Sequence, residues 1–211
     1  MGAHERMDSD NVVVGDCHEY SSYGGIVTGS HNMIHKMYGA VIGKNVAAGN
    51  YSAIIEGRGN YASGLESTVV GGWKNSVEEW ASTVSGGESI VATGESSCVS
   101  GGEDNEASEF CSSVSGGYGN SAEGEYSSVS GGDGCKATGE FSSVLGGYRN
   151  ASGGYENMAE GGYSSVSGGS HNYANGDYSS VSEQCQRAIF LCIGRILQRC
   201  RGVLLLHIGR I

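Results

Sequence analysis

Residues 112–141 read SSVSGGYGNSAEGEY followed by SSVSGGDGCKATGEF, two copies of one 15-residue unit set end to end. A third copy opens at Ser142 as SSVLGGYRN. Self-similarity at a fixed short period is the mark of a repeat architecture in which each unit stacks on the next. Working outward, one apolar column runs through Ile54, Val69, Val84, Val99, Val114, Val129 and Val144 and resumes at Val166 and Val181. Six positions later lies a polar column: Asn60, Asn75, Ile90, Asn105, Asn120, Cys135, Asn150 and Asn172. Two further on sit Ala62, Val77, Ala92, Ala107, Ala122, Ala137 and Ala174. The phase extends back through Asn45 and Asn32, with Ile26 six residues before the latter. The turn between Asn32 and Asn45 is two residues short, and seven extra residues separate Val144 from Val166.

Glycine at this density rules out a helix, because each one costs about 1 kcal/mol against alanine in a helix interior. In a strand, alternate side chains face opposite sides. With Val129 inward in Tyr126–Gly131, Ser127 and Gly131 also point in, and Tyr126, Ser128 and Ser130 point out. Asn120 and Ala122 share a parity and face the valine across the core, with Gly124 closing it. The two glycines after each valine make a corner, where positive φ costs them little. The expected fold is a single-chain parallel β-solenoid of about ten turns, all-β, with Val and Ala inside. A turn lined by one Val, one Ala and small residues cannot exclude water alone, so stability must come from stacking. The Asn column reads as a ladder in which each buried amide bonds its neighbours and the turn backbone, since an unsatisfied one costs about 1–3 kcal/mol.

Composition narrows the function classes. Glycine supplies 38 of 211 residues and proline none, which excludes collagen. No run approaches 18 uninterrupted apolar residues, so no transmembrane helix is expected. The start, MGAHERMDSDNVVVGD, has no apolar stretch behind a basic one and carries no secretory signal. Residues 1–182 hold 7 Lys and Arg against 22 Asp and Glu, a balance of −15. Such a surface repels nucleic acid and anionic membranes.

The repeat SSVSGGxxNxAxGxY resembles the head repeats of YadA-like trimeric autotransporter adhesins, whose 14-residue unit reads SVAIGxxAxASGxx. Ser-Val-Ser-Gly-Gly stands in place of Ser-Val-Ala-Ile-Gly, and Asn in place of the first Ala. The most similar stretch runs from Gly39-Ala40-Val41-Ile42-Gly43 through Val46-Ala47-Ala48-Gly49. The resemblance covers about residues 21–182. It implies a left-handed parallel β-roll and a homotrimeric head displayed at the cell surface or outside the cell, binding a surface, glycan or matrix ligand. This chain has one more residue per turn and Gly where the family places an inward Ile.

Nothing in the sequence points to catalysis, and no enzyme activity, cofactor or metal is expected. GxGxxA occurs at Gly57–Ala62, Gly117–Ala122 and Gly132–Ala137. A dinucleotide loop needs a strand before it and a helix after it; these copies recur in phase with the repeat. The corners are similar to calcium-binding nonapeptides, but Ser121 and Lys136 occupy the places of the required Asp. The seven cysteines are odd in number and form no CxxC, which argues against a disulfide framework or a zinc site. Cys98 and Cys111 fall two columns apart, too far to bridge, and Cys135 reads as a buried free thiol in the Asn column. The six histidines form no HExxH, and no Ser-His-Asp elbow is present.

What the repeat does offer is an exposed array. Ser113 and Ser115, Ser128 and Ser130, and Ser165 and Ser167 are expected to point outward as the candidate ligand face, with Ser180 and Ser182 continuing it. The expected function is a structural or adhesive module that binds through this face. A regular hydroxyl array also suits an ice-binding or water-ordering surface, and a passive scaffold is the third reading.

Three segments follow: 1–20 as a leader or partial turn, 21–182 as the solenoid, and 183–211 as a basic apolar tail with a balance of +4. The tail abandons the Ser-Val-Gly-Asn pattern yet keeps its period. Cys185 and Cys200 are 15 apart, as are Leu191 and Leu206, and Ile193-Gly194-Arg195-Ile196 recurs as Ile208–Ile211. Codons for Tyr-Ser-Ser-Val-Ser-Gly, read one base out of frame, can encode Phe-Leu-Cys-Ile-Gly, the sequence of Phe190 to Gly194. The tail therefore reads as an out-of-frame translation of further repeats, and the nucleotide sequence decides it. The alternative is an amphipathic helix capping the last turn.

Overall fold

The computed structural model describes residues 11–20, 24–147, 158–167, 172–181 and 188–190. Their regular structure is entirely β, in about ten turns of parallel β-solenoid. The chain divides into two compact units, Met1–Gly101 and Gly102–Ile211.

In the first unit, one ladder of parallel strands runs through Val12–Asp16, Ile26–Ser30, Ala40–Ala47, Ala53–Ile55, Thr68–Val70, Thr83–Val84 and Cys98–Val99. Its register joins Val27, Val41, Ile54, Val69, Val84 and Val99, all fully buried. A second ladder joins Ile34, Ala47, Ala62, Val77 and Ala92, equally buried. The second unit repeats the plan with Val114, Val129, Val144, Val166 and Val181 in one ladder and Ala107, Ala122, Ala137, Ala159 and Ala174 in the other. Fully burying a valine contributes about 1.5 kcal/mol or more, so each turn gains little by itself.

Backbone carbonyls and amides left by these two- and three-residue strands are served by the Asn column. Asn75 donates through Nδ2 to the carbonyls of Gly71 (3.2 Å) and Gly87 (3.1 Å), while its Oδ1 accepts from the backbone N–H of Ile90 (3.0 Å). Asn120 does the same with Gly116 (2.8 Å), Gly132 (3.1 Å) and the N–H of Cys135 (2.9 Å). Asn32, Asn45, Asn60 and Asn105 each accept from the N–H one turn on. The ladder thus runs amide to backbone to amide, not side chain to side chain.

The glycine corner after the valine is needed where the column is tightest. Gly117 sits at φ +94°, and a Cβ there would collide with the carbonyl oxygen of Gly132 and the Asn120 amide. Its counterpart Gly72, at φ +84°, is confined in the same way by Gly87 and Asn75.

The structure refines the reading of the sequence at four points. Ile26 is exposed and Val27 fills the core, because four residues separate Val27 from Asn32 where the turns from Ile54 onward have five. Of the two readings of 1–20, the partial turn is the one the described residues support: Val12–Asp16 pairs with Ile26–Ser30. Alternation from Tyr126 to Ser130 holds in exposure, with Tyr126 and Ser130 exposed and Ser127 and Val129 buried, but it stops at Gly131, because the strand is only Ser128–Val129. Gly131, expected inward, is half-buried at φ +145°, and the outward Tyr126 sits at a corner with φ +55°. Finally, Ala159 takes the place after Ala137, which puts the seven extra residues on the path from Val144 to Met158. Asn150 lies outside the described residues, and Asn172 is placed as the first residue of the strand Asn172–Ala174. Of the tail, Ala188–Phe190 is described, and it is a strand paired with Asn172–Ala174 rather than a helix; the rest of 183–211 lies outside the described residues.

Candidate functional site

Because the strands of the first ladder hold their valines inward, the residues on either side of each valine form two outward columns. In the second unit these are Ser113, Ser128, Ser143, Ser165 and Ser180 in one, and Ser115, Ser130, Leu145 and Ser167 in the other. The first column is half-buried up to Ser165, and the second is exposed throughout. The candidate face Ser113, Ser115, Ser128, Ser130, Ser165 and Ser167 is therefore brought together in register, with neighbours about 4.8 Å apart along the ladder. Leu145, 63 % exposed, interrupts it. Ser182 lies outside the described residues.

The same two columns exist in the first unit with different chemistry. One holds Val12, Ile26, Ala40, Ala53, Thr68, Thr83 and Cys98; the other holds Val14, Thr28, Ile42, Ile55, Val70, Ser85 and Ser100. Val12, Val14, Ile26, Ile55 and Val70 are all exposed. Contiguous exposed apolar side chains of this kind mark interaction surfaces. Sequence reading missed this half of the face because it started from the serine repeats. The signal was available: apolar residues flank the inward position at 13- to 15-residue intervals, as in Ala53-Ile54-Ile55 and Thr68-Val69-Val70.

In neither unit do these columns contain a charged residue, although the chain carries a formal charge of −11. The charges sit elsewhere. In the first unit Arg58, Trp73 and Glu88 bridge successive turns at the glycine corner, and Lys74 lies 4.4 Å over the Trp73 ring. In the second unit Glu103, Tyr118 and Asp133 occupy the matching place. Lys136 and Glu123 form a half-exposed ion pair at 3.4 Å, worth at most about 1 kcal/mol.

The third corner, between the alanine strand and the next valine strand, carries a feature that the alternation reading did not resolve. Tyr126, Phe141, Tyr163 and Tyr178 stack with ring centroids 4.8, 4.7 and 5.0 Å apart and planes within 10° of parallel. Phe110 meets Tyr126 edge-on at 5.2 Å. Each stacked residue has φ between +54° and +58°. In the first unit Tyr38 and Tyr51 stack at 5.1 Å, and the column then continues as Glu66, Ala81 and Ser96 with the same positive φ.

Chemically, the arrangement is a set of repeated surfaces rather than a convergent centre. Cys17, Cys98, Cys111 and Cys135 are free thiols, Cys135 buried in the Asn column; the other three cysteines lie outside the described residues. Among the described residues, no three His, Cys, Asp or Glu side chains converge as metal ligands. The GxGxxA copies lie at the glycine corner, and the first leads through the strand Arg58–Ala62. No helix of the described residues is long and apolar enough to cross a membrane. No protein-family model matches the chain, and no curated protein matches it.

Proposed function

We propose that this protein is a non-enzymatic binding scaffold, an adhesive module similar to a YadA-like head, that engages an extended surface, glycan or matrix ligand through the outer face of the valine ladder. The observation that carries the reading is the absence of charge on both columns of that face in a strongly acidic chain. A charge-free surface is where a partner of either sign can dock without leaving a carboxylate desolvated and unpaired. Display at a cell surface and assembly as a homotrimer belong to the same reading and rest on the repeat resemblance.

The test places one carboxylate on the face in each unit: Val70→Asp in the first and Ser130→Asp in the second. Wild-type protein is expected to score on an array of glycans and matrix proteins, and the double variant is expected to lose that signal while its circular dichroism stays unchanged. A signal indifferent to both substitutions would remove the face from the mechanism. Native mass of the same protein tests the trimer.

The two in-register serine columns favour one second reading, a water-ordering face. Thermal hysteresis in the wild type that vanishes in Ser130→Asp would make ice the ligand. Hysteresis absent at high protein concentration rejects that reading.

A further inference from the structure

We propose that the aromatic ridge of the second unit, Tyr126, Phe141, Tyr163 and Tyr178 with the carboxylates of Glu125, Glu140 and Asp177 beside it, is a docking surface for a basic, Arg- and Lys-rich polypeptide segment. It is a different corner of the turn from the uncharged face and does not depend on how that face is used.

The backbone does not need these rings. A non-glycine residue at φ near +55° is unfavourable by about 1 kcal/mol, and bulky residues tolerate it worst. In the first unit Glu66, Ala81 and Ser96 hold the same corner at φ +60°, +52° and +57°. The turn there closes with the same cross-turn hydrogen bonds, Ala81 N–H to the Leu65 carbonyl at 2.9 Å and Ser96 N–H to the Trp80 carbonyl at 2.8 Å. In the second unit Phe141 N–H bonds the Glu125 carbonyl at 2.9 Å and Tyr178 N–H bonds the Gly162 carbonyl at 2.9 Å. Geometry at the corner is thus met by Glu, Ala or Ser. Yet four aromatic rings occupy it in consecutive turns, exposed from 39 % at Phe141 to 70 % at Tyr178.

Coplanar stacking also determines what such a ridge can bind. Inner ring faces cover one another, so the ridge presents ring edges and the phenolic oxygens of three tyrosines. Sugar rings bind aromatic faces, and those faces are taken. Ring edges and hydroxyls instead suit the aliphatic stems of Arg and Lys, which lie along apolar surface while their charged heads reach outward. The heads find Glu125, Glu140 and Asp177, each exposed and each one residue before a ring of the stack. Asp177 also accepts from the Gly162 N–H at 3.0 Å, which holds its carboxylate at the ridge.

Charge complementarity fixes the sign of the partner. Residues 102–182 hold eleven Asp or Glu and two Lys or Arg. A field of that sign speeds and orients the approach of a cationic chain and repels an anionic one. In the first unit the position before the corner residue reads Met37, Asn50, Leu65, Trp80 and Glu95, and Glu95 precedes Ser96 rather than a ring. A carboxylate directly before a stacked ring, as at Tyr126, Phe141 and Tyr178 though not at Tyr163, is found in the second unit.

The experiment uses the full chain and a short fluorescein-labelled oligoarginine, read by fluorescence anisotropy at low and high salt. Wild-type protein is expected to bind, more weakly as salt rises. Tyr126→Ser, Phe141→Ser and Tyr163→Ser together leave the net charge unchanged and should weaken binding about tenfold. Tyr38→Ser with Tyr51→Ser, which removes the other stacked pair, should leave it unchanged. Serine is the residue the first unit itself uses at Ser96, and circular dichroism checks that the variants stay folded. A second measurement needs no variant: with ¹³C-labelled phenylalanine, of which the chain has three, the ring signal of Phe141 should shift as oligoarginine is added. Three results overturn the proposal: no binding, binding equal in the triple variant and wild type (charge alone), or a neutral oligosaccharide that needs the ridge while oligoarginine does not bind.

Discussion

The two units share an interior and differ outside. Inside, both stack a valine or isoleucine column on an alanine or valine column, and both satisfy the corner with an asparagine that makes the same three hydrogen bonds. Outside, the valine-ladder face changes from mostly Val, Ile, Thr and Ala in the first unit, ending in Ser85, Cys98 and Ser100, to mostly serine in the second, and the third corner changes from a mixed column to a stack of four rings. The contrast separates two kinds of constraint. An inward position is surrounded by backbone from its own and adjacent turns, so its volume and hydrogen bonds are dictated. An outward position of a solenoid meets only its counterparts above and below, and can change in every turn without disturbing the fold. Chemistry that varies outside while the inside stays fixed is therefore where function is to be sought.

The most severe way to break this comparison is to attack the shared interior in both units. Asn75→Ala and Asn120→Ala each remove three hydrogen bonds with at least one buried partner and leave an N–H and two carbonyls without them. At about 1 kcal/mol per bond, each should destabilise the protein by about 3 kcal/mol in a urea titration. Near-equal losses are expected. A loss in one unit and tolerance in the other would show that the interiors are not equivalent.

Next in size is the glycine corner. Gly72→Ala and Gly117→Ala drive a Cβ onto the carbonyl of the next turn at a positive φ, and each should cost about 2 kcal/mol. Thermal melts showing either variant within experimental error of the wild type would mean that the corner relaxes more easily than its geometry implies.

These interior features were the legible part of the sequence. Val129, Asn120 and Ala122 could be placed from spacing alone, because a stacked interior forces the same residue type to return after each turn. Legibility failed where two-residue strands gave way to corners. Gly131 was given an inward place by extending the alternation past the strand, and Ile26 was given the core place of Val27 by assuming that every corner has the same length. The missed ridge and the missed apolar half of the face share one cause. Outward residues obey no packing constraint, so no spacing rule distinguishes an exposed tyrosine at a corner from one on a strand. Ala159 was hidden for a simpler reason, the seven residues inserted between it and Val144.

A smaller effect sharpens the comparison at the third corner. Phe141→Ser removes stacking with both Tyr126 and Tyr163 but keeps a turn of the kind Ser96 already makes. Two stacked contacts at about 0.5–1.5 kcal/mol each predict a loss of about 1–3 kcal/mol. Ser96→Phe in the first unit tests the converse. With Ala81 as its neighbour one turn earlier in the same column, the new ring has no stacked partner and at most an edge-on one in Trp80, as Phe110 is to Tyr126, so its gain should be smaller than the loss at Phe141. A gain there equal to the loss at Phe141 would show that the ring's value is local burial and not stacking.

The smallest change is the one place in the second unit where the described Asn column is interrupted. Cys135 is fully buried at a position where Asn120, one turn earlier, donates to Gly116 and Gly132. The sulfur makes a long 4.0 Å contact with the Asp133 carbonyl and brings no amide to the corner. Fifteen residues on from Gly116 and Gly132 stand Gly131 and Gly147, whose carbonyls line the same corner. Cys135→Asn would supply an Nδ2 to both, and the backbone N–H at 135 already points to Asn120 Oδ1 at 2.9 Å, so the incoming side chain needs no change of backbone. Two new hydrogen bonds, less the burial lost with the thiol, should raise stability by about 1 kcal/mol. That is a rise of a few degrees in melting temperature for a chain of this size. Cys135→Ser, which is small and polar but cannot span the corner, should lower it. If the asparagine variant melts below the wild type, the column at that turn is set by volume rather than by hydrogen bonding, and the equivalence of the two interiors stops at Asn120.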